Sequence, residues 1–539
     1  MSPRSIFASL AGLAVLAAAG FTLIQPTVPA RLNVIILTVE SARADALSAE
    51  TTPELWRIAR SGTRFAEHRA VSAWTASNIV SLLTGLSPVE HGVHTRGQSV
   101  AEGWPTPLEA LARDGWLVAG LQPFMQIDVF DAMGLSVEAG AEPLYWLAQR
   151  AWRQEPFVLW YHYLHTHLPY RPEAEFMPAW QDVLDPDDMA ARSRIEEVMR
   201  QSAIPSGTVA FEQSDRPAVR LLYEAGFREF DAWFARFWAF LEESGLRGNT
   251  IVVLTADHGE ELLERGLLGH ASTTRAAHLY EEVVRVPLIV WLPPGDGRLA
   301  SGAVVAWPSD HLDVMPSLLA LLDRAAPLVL RGADLAGLAT ARPWTATTSS
   351  AGFAEAESGT VAAYVHARKQ GRWKLQVTMN GAEVSGQVLH DLAADPGERH
   401  DRAASEPEIA GRLLAGIVGE LAAARRPQES TPSEARDGPP PAWIYPSRGG
   451  AYGYDDAGGK FWLEWSGAAG ARYVLQYQVG TAPLDIAGEI TVTGRRKDFG
   501  RIERRYWDTW IVPYSPFRVR VGYDGPDPRW SEWLDLSAE

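Results

Sequence analysis

The chain has 539 residues, more than one ordinary core encloses, and a prior of ~150 residues per domain predicts two to four compact units. Its 49 Lys and Arg against 66 Asp and Glu leave a net charge of -17, which repels polyanions over most of the surface and argues against general nucleic-acid binding. There is no cysteine, which excludes disulfides, thiolate metal sites and a cysteine nucleophile.

Residues 1–30 carry one early arginine, Arg4, then an almost uninterrupted apolar run from Ile6 to Ile24 and the small-residue stretch Thr27-Val28-Pro29-Ala30. The run is apolar on every face and reads as an export signal rather than as a helix of a globular core. Its length approaches the ~20 residues that span a bilayer, so an uncleaved membrane anchor and removal after Ala30 or near Ala19 both fit. Either outcome predicts an exported protein, periplasmic or extracellular.

Asn33-Val34-Ile35-Ile36-Leu37-Thr38-Val39 is a short β-branched run bounded by polar residues, the pattern of a strand buried on both faces of a parallel sheet. Similar runs occupy Phe157 to Tyr163, Thr250 to Thr255 and Val286 to Trp291, with amphipathic helical stretches such as Ala218 to Ser244 between them. Strands alternating with helices predict an α/β sandwich around a central, mostly parallel sheet. In open sheets of this type ligands sit beyond the C-terminal strand ends. That rule singles out Glu40 after the first run, His165 and His167 after the second, and Asp257 and His258 after the third. Carboxylates and imidazoles converging on one sheet edge are the donors that a borderline-hard divalent cation takes.

A helix over Ser309 to Leu322, a strand pair around Ala362 to Val377 and a last helix over Pro407 to Arg425 extend this unit. Residues 426–450 are rich in Pro, Ser, Gly and charge, a linker composition. Beyond them Phe461 to Trp465, Tyr473 to Tyr477, Phe517 to Val521 and Trp530 to Trp533 alternate apolar and polar residues between turns, which predicts a small all-β sandwich. The expected division is a signal or anchor over 1–30, an α/β domain over 31–425, a linker over 426–450 and a β-sandwich over 451–539.

Several of these segments, taken in order, resemble the sulfatase family of the alkaline phosphatase superfamily. They are Asn33 to Asp45, Thr52-Pro53-Glu54-Leu55, Ser81-Leu82-Leu83-Thr84-Gly85, Leu164 to Tyr170, Thr255-Ala256-Asp257-His258-Gly259-Glu260-Glu261, Leu279 to Ile289 and Leu389 to Glu398. The resemblance covers about residues 31–425 and implies an alkaline-phosphatase/sulfatase-like sandwich. In sulfatases the segment ahead of Ser81 reads Cys/Ser-x-Pro-x-Arg, and its first residue is oxidised to formylglycine. Here it reads Thr75-Ala76-Ser77-Asn78-Ile79, so formylglycine cannot form and the arginine position holds Ile79.

A threonine hydroxyl can still attack phosphorus when a cation lowers its pKa and holds it in line. Lipoteichoic-acid synthases and phosphoethanolamine transferases use that solution, with a glutamate, a threonine and an Asp-His pair on one metal, and Glu40, Thr75, Asp257 and His258 match the set. The resemblance therefore implies one divalent ion (Mn²⁺, Mg²⁺ or Zn²⁺, with Ca²⁺ ranked below them), an anionic ester substrate and Thr75 as nucleophile. It also implies that His167 and His270 contact the transferred group and protonate the leaving oxygen. Thr75 equally suits the N-cap of a helix over Ala76 to Leu83. His165, His278, His91, His94 and Arg96 are secondary candidates, the last three readable as substrate contacts or as solvated polar groups.

The expected function is that of a metal-dependent hydrolase or transferase acting on phosphate or sulfate esters. Ile79 keeps open a non-catalytic alternative, an exported pseudoenzyme serving as a binding or structural subunit of an envelope complex. The C-terminal segment, with Trp530-Ser531-Glu532-Trp533, resembles a fibronectin type III module and so implies a protein or glycan partner.

Overall fold

The computed structural model describes residues 31–94, 106–122, 135–139, 142–151, 155–202, 207–270, 278–325, 330–337, 343–349, 363–424 and 439–446, single residues between these, and the strands of a C-terminal unit from Ala451 onward. The apolar run ahead of Arg31, Arg96 and residues 426–438 and 447–450 of the expected linker lie outside the described residues. Among the described residues no helix is long and apolar enough to cross a membrane.

Eight strands make the central sheet: β1 (Asn33–Val39), β2 (Thr63–Phe65), β3 (Leu117–Gln122), β4 (Ser136–Ala139), β5 (Phe157–Tyr163), β6 (Thr250–Ala256), β7 (Leu288–Trp291) and β8 (Val304–Val305). Their order is β8-β2-β7-β6-β1-β5-β3-β4. β1 pairs in parallel with β5 on one side and with β6 on the other, so the three strands whose ends carry the acidic and imidazole residues lie side by side. β7 departs from the expected parallel course and runs antiparallel to both β6 and β2. The chain leaves β6 at Asp257 and turns back through a short helix at Glu281–Val284, without the crossover that a parallel partner requires.

Alternate residues of the central strands feed two cores. Val34 and Ile36 of β1 with Ile251 and Val253 of β6 pack on one face, together with Ile79, Val80 and Leu83 of α1 (Thr75–Thr84). Ile35, Leu37 and Val39 with Val252 and Leu254 pack on the other face, against Leu222, Phe227, Phe230, Phe234 and Phe237 of α2 (Arg216–Glu243), whose apolar residues recur at helical spacing. A fully buried side chain of this size contributes roughly 1.5–3 kcal/mol, so both helices are held firmly on the sheet. The helix expected from Ser309 starts only at Val314 and forms α3 (Val314–Leu321). Ser309 and Asp310 instead pair with His68 and Arg69, and the Asp310 carboxylate accepts from the Leu312 N–H at 3.0 Å to cap a 3₁₀ turn.

The expected strand pair is the middle of a four-stranded antiparallel sheet, β9 (Trp344–Ser349), β10 (Tyr364–Gln370), β11 (Trp373–Asn380) and β12 (Glu383–Asp391), covered by α4 (Pro407–Ala423). A buried ion network joins this sheet to the turn that leads into β7. Lys374 Nζ lies 3.1 Å from Glu281 Oε1 and 3.1 Å from Glu398 Oε1, and Arg69 binds Glu281 at 2.6 Å.

The C-terminal unit is two sheets. Trp443–Tyr445, Lys460–Trp465 and Arg496–Arg501 form one, and Ala451–Tyr452, Leu534–Ala538, Phe517–Tyr523, Arg472–Thr481 and Leu484–Thr493 form the other. All pairs are antiparallel except Ala451–Tyr452 with Leu534–Ala538. Its core of Leu463, Trp465, Tyr473, Leu475, Trp507 and Val521 also takes in Leu164, the residue that follows β5.

Lys374→Ala would leave Glu398 without its counter-ion and Glu281 with Arg69 alone. Breaking a buried pair costs ~3–5 kcal/mol, and urea denaturation of the variant is expected to show a loss of stability in that range.

Candidate metal centre

The parallel ladder extends one residue past β1, because the Glu40 N–H donates to the Tyr163 carbonyl at 2.9 Å. Ser41 then turns the chain with φ of 54°, a left-handed conformation that costs a non-glycine residue on the order of 1–3 kcal/mol. The turn aims two donors inward. Ser41 N–H donates to Asp257 Oδ1 at 2.9 Å, and the Ser41 hydroxyl donates to Glu40 Oε1 at 2.9 Å. Tyr223 of α2 holds the turn by donating to the Ser41 carbonyl at 2.6 Å, and the Thr166 hydroxyl donates to the Glu40 carbonyl at 2.6 Å.

At the end of β6, Asp257 and His258 are fully buried. His258 Nδ1–H donates to the Gly259 carbonyl at 2.8 Å, which turns Nε2 into the site. A side chain at position 259 would bring Cβ to 2.1 Å from the Glu282 carbonyl, so only glycine lets the chain pass there. His258 Nε2 lies 3.1 Å from Asp257 Oδ2, 3.6 Å from Glu40 Oε1 and 3.1 Å from Thr75 Oγ1.

Thr75 is the first residue of α1, not its N-cap. Trp74 occupies the cap with extended backbone, and the Thr75 hydroxyl goes to His258 instead of to the helix. The loop ahead of it is pinned by Asn78, whose Oδ1 accepts from the Val71 and Ser72 N–H groups at 3.0 and 2.9 Å. The first N–H groups of the helix have no intrahelical acceptor and favour an anion beside Thr75. Ile79, one turn on, is wholly within the core, so α1 offers no cation at that position.

The site's electrostatics are those of acceptors crowded together. Burial raises the Asp257 pKa to about 6, with the neighbouring Glu40 charge adding to it. Burial also opposes ionisation of Glu40, but the hydrogen bond from His162 and the nearby His167 and His258 outweigh it and hold its pKa well below the usual range. For His258 burial is outweighed by Asp257 and Glu40, so its pKa is raised. Asp257 Oδ2 is buried and accepts no hydrogen bond. An orphaned carboxylate oxygen beside an imidazole nitrogen and a second carboxylate is a donor set that a divalent cation would complete. Glu40 with His258 and His270, and Glu40 with His162 and Asp257, each place three ligand atoms within 4.8 Å of one another.

His167 and His270 stand at the same site, their rings 5.1 Å apart and edge to face, with His270 4.1 Å from the His258 ring. Burial lowers the His167 pKa to about 4, which leaves it neutral. His270 Nδ1 is held by Glu260 Oε1 at 2.9 Å, and Glu260 Oε2 accepts from the Tyr170 hydroxyl at 3.0 Å. Burial raises the Glu260 pKa to about 7.

The secondary candidates divide. His165 faces α2 through Glu229 at 3.1 Å, and His278 packs beside Tyr280, neither within the cluster. His91 and His94 are buried, which corrects their reading as solvated groups. The Ser81 hydroxyl and the Val93 N–H take both ring nitrogens of His91, and His94 packs edge-on against Tyr364 at 4.8 Å. Sequence reasoning passed over His162, Glu260, Tyr170 and Ser41. For His162 a signal existed, since an imidazole inside an otherwise apolar, fully buried strand must find a polar partner.

Two family profiles match the chain: sulfatase over residues 140–324, and type I phosphodiesterase / nucleotide pyrophosphatase over residues 34–100. Asp257, His258, His167 and His270 fall in the first span, Glu40 and Thr75 in the second. An uncharacterized sulfatase of Escherichia coli, YidJ, is 29% identical over 196 residues, 35% of this chain and 36% of that protein. The multifunctional alkaline phosphatase superfamily protein PehA of Trinickia caryophylli is 30% identical over 198 residues, 34% of this chain and 37% of that protein. The matches thus span little more than a third of these relatives' length. Among solved structures, the phosphonate monoester hydrolase of Agrobacterium radiobacter superposes with a TM-score of 0.56 at 19% identity, over 73% of this chain and 96% of that one. The chain thus has the fold shared by sulfatases and phosphonate monoester hydrolases, and its sequence relatives lie in the alkaline phosphatase superfamily.

Proposed function

We propose that the chain is a metal-dependent hydrolase or transferase of phosphate esters with Thr75 as its nucleophile. The observation that carries this reading is the placement of the Thr75 hydroxyl 3.1 Å from His258 Nε2, in the buried cluster formed with Glu40 and Asp257. Glu40, Asp257, His258 and Thr75 would hold the ion, which when bound supplies the positive charge that acidifies the hydroxyl and offsets charge on the ester.

Thr75 Oγ1 gives up its hydroxyl proton to solvent and attacks phosphorus, an O–P bond forms, and the bond to the leaving alkoxide breaks, the alkoxide taking a proton in its turn. Glu260 fixes Nδ1 of His270 and turns its Nε2 toward the site, which suits it to pass a proton to the leaving oxygen. His167, neutral through burial, is suited to orienting the transferred group. Water or a second alcohol then displaces Thr75 and returns its proton. The first N–H groups of α1 face the charge that develops on the equatorial oxygens.

A second reading, sulfate-ester cleavage, is favoured by the relatives named as sulfatases. For the C-terminal unit, the two-sheet strand order and a ladder in which Arg520 lies over Trp530 at 4.5 Å and over Trp533 at 4.7 Å support a fibronectin type III-like module with a protein or glycan partner. The apolar N-terminal run supports export with that module outside the cytoplasm.

The test is a panel of phosphomonoester, phosphodiester, phosphonate and sulfate esters, assayed with Mn²⁺, Mg²⁺ or Zn²⁺. At least one phosphorus ester is expected to turn over, and Thr75→Ala to lose at least ~1,000-fold in kcat. Turnover confined to sulfate esters would favour the second reading. Unchanged turnover in Thr75→Ala would remove the nucleophile, and no turnover on any ester would favour the pseudoenzyme.

A further inference from the structure

Glu40 can serve a cation through one oxygen while the other is satisfied by the protein. The strands behind it carry a chain of hydrogen bonds that does this. Trp160 Nε1–H donates to Thr38 Oγ1 at 2.9 Å, Thr38 Oγ1 lies 2.8 Å from His162 Nδ1, and His162 Nε2 lies 2.8 Å from Glu40 Oε2. Thr38, His162, Trp160 and Glu40 are each 1% exposed or less. Parallel pairing sets Thr38 of β1 directly beside His162 of β5, so the chain is a consequence of register.

The donor inventory and the distances together favour one placement of the protons. Indole N–H can only donate, so Thr38 accepts from Trp160. The single hydroxyl proton of Thr38 then goes to its near neighbour, His162 Nδ1, and not to the Tyr161 carbonyl at 3.5 Å. Nδ1 is thereby an acceptor, the ring proton sits on Nε2, and Nε2–H donates to Glu40 Oε2. The other oxygen, Oε1, accepts from Ser41 Oγ and faces His258.

We infer that His162 is a positioning residue of the metal centre, holding Glu40 Oε2 through Nε2–H so that Oε1 is presented to the ion, with Thr38 and Trp160 selecting the tautomer that makes this possible. The inference rests on Glu40 being a ligand, as proposed above. Direct ligation by His162 is the competing role, since its ring nitrogen is within 4.8 Å of ligand atoms of Glu40 and Asp257. Ligation would require a lone pair on Nε2 and a proton on Nδ1. Thr38 would then face two N–H donors and keep only the 3.5 Å carbonyl for its own proton.

The experiment is Mn²⁺ titration of the metal-stripped full chain against a chelator, on native protein, His162→Leu, His162→Gln, Thr38→Val and Glu40→Gln, with thermal melting of each metal-free variant. Loss of a group that orients a ligand weakens metal binding by about 10–100-fold, and that is the shift expected for His162→Leu. Glutamine places an amide N–H near the Nε2 position but is a poor metal ligand, so His162→Gln is expected to stay within about threefold of native affinity. Thr38→Val is expected to fall between them. Equal losses for the Leu and Gln variants would make His162 a ligand, and native affinity in His162→Leu or Thr38→Val would overturn the inference. If His162→Leu fails to fold, the Gln and Val variants decide alone. Native affinity in Glu40→Gln would instead remove the proposed metal centre while leaving the hydrogen-bond chain as a feature of the fold.

Discussion

The constraint on which this structure depends is the crowding of acceptor atoms at the ends of β1 and β6. Two carboxylates and an imidazole nitrogen face one another in a space closed to solvent, and one carboxylate oxygen, Asp257 Oδ2, has no hydrogen bond. Buried ionisable groups whose hydrogen-bonding capacity is not fully met are costly for a fold to hold. The surrounding residues divide the cost. Ser41 gives a hydrogen bond to each carboxylate from a left-handed turn, His162 holds the second oxygen of Glu40, and Gly259 lets the chain pass the Glu282 carbonyl so that His258 faces inward. What these donors leave is a cluster of buried carboxylate and imidazole groups that could hold a metal ion.

Strand adjacency delivers these groups. β5, β1 and β6 are consecutive in the sheet although far apart in the chain, and parallel pairing brings their C-terminal ends to one edge. Two hydrophobic cores then lock α1 and α2 onto opposite faces, which sets Thr75 over the edge from one side and Tyr223 under the Ser41 turn from the other. The Lys374 network joins the second sheet to the segment behind Gly259, so the geometry of His258 is supported from outside the central sheet as well.

Much of this was legible in the sequence because strong local patterns coincide with it. The buried runs at Asn33, Phe157 and Thr250 mark the three central strands, and the rule that ligands sit beyond strand ends picks out Glu40, His165, His167, Asp257 and His258, of which His165 turns away to Glu229. Other features depend on tertiary placement that no local pattern encodes. The antiparallel course of β7 follows from where the chain re-enters the sheet, and the late start of α3 follows from a long-range pairing of Ser309 with His68. His162 hides in the alternation of an apolar strand, and the tie between Tyr170, Glu260 and His270 joins residues whose separation in sequence says nothing of contact. Thr75 reads from sequence as a cap or a nucleophile, and its hydroxyl turns to His258 and not to the helix.

The most direct measurement is anomalous diffraction from crystals of the full chain grown with Mn²⁺. A single peak within ligand distance of Glu40, Thr75, Asp257 and His258, with His162 Nε2 still on Glu40 Oε2, is the predicted result. A peak elsewhere, or none at this cluster with manganese present in the crystal, would contradict it.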